Sequence, residues 1–554
     1  MDDYYDLGQH SYPVTTSSAA AQTWFDRGLL WTFGYNHEEA IVCFEKAIEA
    51  DPDCAMAHWG LGYAAGPNYN MPWHMLDEAH QTKALSIGFE AARAALQRID
   101  RVTAWEAALI RALPARYPQT EPIEDMSPWN DHFADAMRLA FQAEPQSLEV
   151  RTVFAEALLN RTPWKMWDLK TGAPAVGAST VECQAVLEES LEKDPATIAH
   201  PGILHLYIHL MEMSPFPEKA LKASDALKTL VPDSGHLIHM PTHIDVLCGN
   251  YRDVVRWNEE AVRADLTYWR KHGPYNIYSG YRLHNYHFVI YGAMFLGQFE
   301  PAMAAVRGAA ETVPEDMLRT ESPPMADYFE SYLSFEPHVL VRFGKWREAI
   351  AMTLPEDPEL YCTLTAHIHY ARGVAHAALG NVAEAETEEK AFHEAKARVP
   401  ESRYLHNNRV VNLLDIAAEM LRGEILYRKG DYDEAFAALR RAVVLEDDLP
   451  YDEPWGWMQP SRHALGALLL EQGQLADAEA IFREDLGLGG QLSRATVHPD
   501  NVWSLKGLHD CLQARGETVE IVQIRQRLDL ADARADRRVS ASCFCAQAAL
   551  KAAE

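Results

Sequence analysis

A period of 34 residues runs through the chain, and it leaves few folds open. His205 and His239 are 34 residues apart, as are His209 and His243. Within residues 21–54, small and helix-ending residues hold fixed places in one such unit: Gly28 at position 8, Ala40 at 20, Ala47 at 27 and Pro52 at 32. The same phase returns in units starting at 201 (Ala220, Pro232), 283 (Ala302, Ala309, Pro314) and 366 (Gly373, Gly380, Ala385). It returns again at 416 (Gly423, Gly430, Ala435, Ala442) and 459 (Gly466, Gly473, Ala478), with weaker copies near 55, 235, 330 and 502. A repeat of this length is one supersecondary unit that buries its apolar face only by stacking on its neighbours. Small residues let two helices approach closely, and a proline stops the second.

Apolar residues spaced by three and four along residues 431–445 predict an amphipathic helix, and no alternating strand pattern of any length occurs. Residues 89–200 keep helical periodicity but lose clean repeat phase. With these residues in these places, the chain resembles bacterial tetratricopeptide-repeat proteins that carry His-rich repeats. The resemblance implies an all-α solenoid, a superhelix of about ten helix–turn–helix repeats with aromatic-rich loop insertions. It is specific as to fold and nearly silent as to chemistry. The expected organisation is an N-terminal segment 1–20, N-terminal repeat-like helices with insertions over 21–200, and a His-rich central block over 201–316. C-terminal repeats follow over 317–530, then a tail over 531–554.

Formal net charge is −30. Such a chain repels phosphate backbones, so nucleic acid is not an expected partner. An acidic surface keeps a large protein soluble and also draws cations toward a groove. No apolar stretch approaches the length of a membrane span, and Met1-Asp-Asp-Tyr-Tyr-Asp has neither the basic nor the apolar part of a signal peptide. Eight scattered cysteines do not make a disulfide framework, and the Cys543-Phe-Cys545 pair is too isolated to read as a metal site. A cytoplasmic location is the expectation.

Several connections exceed what a plain repeat needs: residues 66–74, 161–167, 268–281 and 451–457, all rich in Trp, Tyr, Pro and Asn. Long inserts in a compact array tend to carry function. Packing as rigid local loops is the plain reading of any one of them; four alike favour a lidded cavity. Asn68, Tyr69, Asn70, Trp73, Trp164, Trp167, Tyr275 and Tyr278 are the expected pocket residues.

Seven histidines crowd into three helical stretches: His205 and His209; His236, His239 and His243; His284 and His287. In units starting at 201, 235 and 283, His205, His239 and His287 share position 5. His209 and His243 share position 9, with Tyr291 third, and Glu212 holds position 12. The resemblance implies that positions 2, 5, 9 and 12 face the concave groove. Residues four apart share a helix face about 5–6 Å apart, and helices pack about 8–10 Å apart. Imidazoles from neighbouring helices then reach one ion at nitrogen–metal distances near 2 Å. A lone buried histidine is usually a core residue, but seven in phase weaken that reading. The expected metal ligands are His205, His209, His239, His243 and His287, with His236 and His284 as outer or additional ligands and Asp245 a less well-phased outer acid.

Imidazole suits Zn, Cu and Fe, and the sequence leaves the metal open. His58, His338 and His406 are further groove candidates, whereas His367, His369 and His376 read as structural. No zinc-protease motif, Gly-rich phosphate loop, Gly-x-Ser-x-Gly or Cys-x-x-Cys occurs. The preferred function is a metal-dependent enzyme acting on a small molecule or peptide in the groove, hydrolase or oxidoreductase unresolved, with Glu212 or Tyr291 handling protons. The alternatives are a non-catalytic adaptor that binds a protein segment in its groove, and a metal carrier or sensor.

Overall fold

A computed structural model describes residues 4–490 and 492–546. Residues 1–3 of the expected N-terminal segment and 547–554 of the expected tail lie outside them. The described residues are all-α apart from one antiparallel hairpin of two-residue strands, Tyr404–Leu405 and Asn408–Arg409, with Tyr404 opposite Arg409. None of their helices is long and apolar enough to cross a membrane.

The chain divides into two compact units. The first holds Met1–Ile244 and Arg263–Thr267; the second holds Asp245–Val262 and Tyr268–Glu554. The division falls within the His-rich stretch 201–316.

In the first unit, Ala19–Phe33 and His37–Ala50 form a helical hairpin, followed by Ala55–Ala65. The repeat phase explains their packing. A Cβ on Gly28 would lie 2.7 Å from the Phe44 ring, so only glycine lets the two helices approach this closely. Ala40 and Ala47 are fully buried, and Pro52 follows the last helical residue, Ala50. Ser18 and Asn36 start the two helices, each accepting a backbone N–H three residues on. The insert 66–74 closes on itself through a bridge between Asn68 and Met71 and enters a short turn at Trp73–Met75.

In the second unit the hairpins are regular. Cys362–Ala378 pairs with Val382–Lys396, Val410–Lys429 with Tyr432–Asp447, and Ser461–Glu471 with Leu475–Asp485. Gly380, Gly430 and Gly473 form the elbows with φ of 84°, 86° and 74°, a left-handed backbone that glycine adopts freely. Cys543 and Cys545 are joined by a disulfide.

The same elbow, position 15 of the unit, is also a left-handed glycine at Gly249, Gly297, Gly344 and Gly516. In the first repeat it is Tyr35, with φ of 54°. A tyrosine in this region costs about 1–2 kcal/mol against its ordinary backbone. What it does there emerges from its neighbours.

Candidate metal centre

The helix Pro201–Met211 begins on His200, whose Nδ1 accepts the Ile203 N–H at 3.2 Å, with Pro201 at its first position. Its length places His205 and His209 one turn apart, ring centroids 4.6 Å from each other and both essentially inaccessible. Pro241 interrupts the next run. His236 and His239 therefore sit on the short helix Gly235–His239, and His243 on Pro241–Leu247.

Hydrogen bonds fix which nitrogen of each ring is available. The Nδ1–H of His205 donates to the Phe33 carbonyl at 2.7 Å. The Nδ1–H of His209 donates to Glu212 Oε1 at 3.0 Å, and that of His243 to Glu212 Oε2 at 2.7 Å. In the neutral form of each of the three rings the lone pair is then on Nε2. His236 Nε2 lies 3.2 Å from His205 Nε2, and His239 Nε2 lies 2.7 Å from His243 Nε2. Two lone pairs cannot face each other at such distances, so a proton or a cation lies between them. Nitrogens sharing one tetrahedral ion at 2.0–2.1 Å stand about 3.3 Å apart. The His205–His236 separation fits that value, and the His239–His243 separation is shorter. The ligand atoms of His205, His209 and His236 all lie within 4.8 Å of one another.

Burial favours the neutral form of His205 and His236. His205 is pushed down to about 3, mainly by loss of water, against the opposing pull of the Phe33 carbonyl. His236 is also held well below the ordinary imidazole range, by burial first and then by His205, His239 and His209. A neutral imidazole is the form that binds a metal.

Two aromatic side chains from loops wall this cluster, and a third packs on one of them. The Tyr35 ring stacks on His209 (5.9 Å) and His236 (5.4 Å) and tilts against His205 (4.6 Å). The Tyr69 ring stands 4.5 Å from His209, and its hydroxyl accepts the Trp164 backbone N–H at 2.9 Å. The Trp164 ring packs 5.4 Å from Tyr69, on a backbone with φ of 53°. Two of the non-glycine residues with left-handed backbone are thus aromatics, one against the histidines and one against Tyr69.

A second trio in this unit, His10, Glu149 and His200, also brings three ligand atoms within 4.8 Å of one another. The chemistry there is different. Because His200 Nδ1 accepts a helix N–H, its Nε2 carries the proton and donates to Glu149 Oε2 at 3.2 Å. That ring has no lone pair for a cation while it caps the helix, and the trio is a structural clamp.

Of the other expected pocket residues in the first unit, Asn68 Nδ2 lies 3.5 Å from His37 Nε2. Asn70 is half-buried in the same turn, with its backbone N–H on Asn68 Oδ1. The Trp167 indole N–H donates to the Leu210 carbonyl at 2.7 Å, and Trp73 packs against Trp129 and Tyr117. His58 Nε2 lies 3.0 Å from the Pro52 carbonyl.

His284, His287 and Tyr291 belong to the second unit, on the helix Ser279–Phe295. His284 stacks on His406 at 4.5 Å. His406 donates to Asp452, whose other oxygen accepts from Asn408 at 2.6 Å. Burial pulls His406 down, but the Asp452 carboxylate outweighs it and the ring titrates above the ordinary range. His287 Nε2 is 3.0 Å from Met458 Sδ, and its ring stacks on Phe335. Tyr291 lies against Phe295 and His498, and burial with Glu446 and Asp485 raises its hydroxyl well above the ordinary phenol range. His338 and His367 pack ring to ring at 4.8 Å beside Trp457. His369 Nδ1 lies 2.6 Å from Glu388 Oε2. Asp245 is buried and accepts from Asn250. Tyr278 is buried against Tyr268 and Tyr281, whereas Tyr275 is 58 % exposed.

The sequence reading missed Tyr35 and the His406–Asp452 pair. The signal for Tyr35 was present: it occupies the elbow where other repeats have glycine. Tyr69 falls at the same position of the weaker copy near 55.

A family profile described as tetratricopeptide repeat matches residues 36–65 and 403–453. No curated protein matches the chain. Among solved structures it is similar to the APC/C hetero-tetramer Cut9-Hcn1 (12 % identity, 96 % of each chain covered, TM-score 0.27). It is also similar to yeast Tom70 (11 % identity, 93 % of this chain and 96 % of that one, TM-score 0.29). A third is the structure of Naa15/Naa10 bound to HypK-THB (13 % identity, 96 % and 74 %, TM-score 0.20). Likeness at this level carries no functional inference.

Proposed function

The chain is a tetratricopeptide-repeat protein, and from that premise we propose that its first unit holds a transition-metal ion for chemistry on a small molecule or peptide. His205, His209 and His236 are the ligands, with His239 and His243 as an adjoining pair. One observation carries the reading: Phe33 and Glu212 occupy Nδ1 of His205, His209 and His243, which puts the lone pair of each neutral ring on Nε2, where His205 meets His236 and His243 meets His239. Carbonyl- and carboxylate-braced histidines are the usual surroundings of metal ligands.

Glu212 serves here as a brace, since each of its oxygens already accepts an imidazole proton. That use leaves it poorly suited to act as a general base. A neutral, all-imidazole donor set suits Zn, Cu or Fe. Such an ion would polarise a carbonyl or water, or hold oxygen. Tyr35 and Tyr69 keep bulk water off the rings, which strengthens every electrostatic interaction inside. Deep burial counts against a carrier, which has to exchange its ion readily.

Metal analysis of untagged protein tests the proposal. Near-stoichiometric metal is expected in the wild type, with loss in His209→Ala and His243→Ala. Equal occupancy in all three proteins overturns it.

A further inference from the structure

A cavity of about 300 Å³ opens in the first unit, lined in part by Trp73, Glu124, Asp125, Asn160 and Lys165. That volume lies at the small end of ligand sites. Two of its lining residues hold buried polar atoms with no hydrogen-bond partner, the Trp73 indole N–H and Asn160 Oδ1. Trp73 is 3 % and Asn160 5 % exposed. Such atoms are rare in folded proteins and each one asks for an explanation. One is a donor and the other an acceptor, the complement of a single amide group.

Charge is arranged around this pair. Lys165 is exposed and makes no ion pair among the described residues, and its charge helps hold His74 below the ordinary range, after burial. Arg161 is already engaged by Asp131 and Ser179. Glu124 and Asp125 line the same cavity, Asp125 with one oxygen accepting the Ser127 N–H.

We propose that this cavity binds a short zwitterionic peptide of dipeptide size. Its amide carbonyl accepts from the Trp73 indole, its amide N–H donates to Asn160 Oδ1, its carboxylate meets Lys165, and its ammonium meets Glu124 and Asp125. The two buried atoms come into reach through a side-chain shift on the ångström scale, which is common at binding sites. Residues 161–165 form part of the wall, and Trp164 within them packs on Tyr69 instead of lining the cavity. The site does not depend on the metal reading.

Calorimetry on the full chain, metal-stripped and metal-loaded, tests this with glycylglycine as the probe. Binding is expected in both preparations. Lys165→Gln, a surface change, should weaken glycylglycine about tenfold and leave glycylglycinamide unchanged. Trp73→Phe, which keeps a ring but removes the N–H, should weaken both probes. N-acetylglycine, lacking the ammonium, should bind less well than glycylglycine. No binding of glycylglycine up to its solubility overturns the proposal, as does an equal effect of Lys165→Gln on both probes. Failure of the protein to take up metal, with glycylglycine binding intact, would count against the metal centre alone.

Discussion

Glu212 lies 31 residues before His243, yet its Oε2 accepts the His243 Nδ1 proton at 2.7 Å. Its other oxygen accepts from His209. One carboxylate thus spans two helical segments and fixes the tautomer of a ring on each.

Glu212→Gln should lower metal affinity about 10- to 100-fold, the usual effect of losing a brace behind a ligating histidine. An amide offers one acceptor where the carboxylate offers two, so one imidazole loses its orientation. Competition with a coloured chelator reads the change. Unchanged affinity would remove Glu212 from the centre.

Tyr35→Gly sets two effects against each other. Relief of the left-handed backbone returns about 1–2 kcal/mol. Removing a buried aromatic costs about 3–5 kcal/mol. The net expectation is a loss of about 2–3 kcal/mol in urea unfolding, although glycine is the residue that the other elbows use. A more stable variant would show that the ring contributes little packing.

Acid should weaken the fold steeply. His205 and His367 are held at about 3 and about 4 by burial, one in each unit. A depressed histidine is neutral when folded but takes up a proton when unfolded below about 6.5. Its stabilising effect is complete above that pH and is lost as pH falls toward the folded value. At pH 5 each such ring should cost about 2 kcal/mol relative to pH 7.5. Denaturant midpoints of metal-free protein at the two pH values check this.

Chelation should lower thermal stability in step with occupancy. An ion present at a thousand times its dissociation constant adds about 4 kcal/mol to whatever folds around it. Calorimetric scans before and after dialysis against a chelator should differ by several degrees. The difference should vanish in His209→Ala.

The repeat phase was legible because it is a steric property of neighbouring residues. Gly28 faces Phe44 and Gly466 faces Phe482 for the same reason, and both follow from position in the unit. The pairing of His205 with His209 was legible from helical spacing. The bond from His243 to Glu212 was not, because a hydrogen bond to a residue on another segment leaves no local pattern. Tyr69 reaches His209, and Trp164 reaches Tyr69, through loops whose backbone no periodicity describes. His287 shares its repeat position with His205 and His239, yet Met458 and Phe335 set its surroundings.

The aromatic elbow at Tyr35 also limits how interchangeable the repeats are. Grafting a standard glycine corner into the first hairpin would give a more regular array. It would also strip the roof from three imidazoles and open them to water.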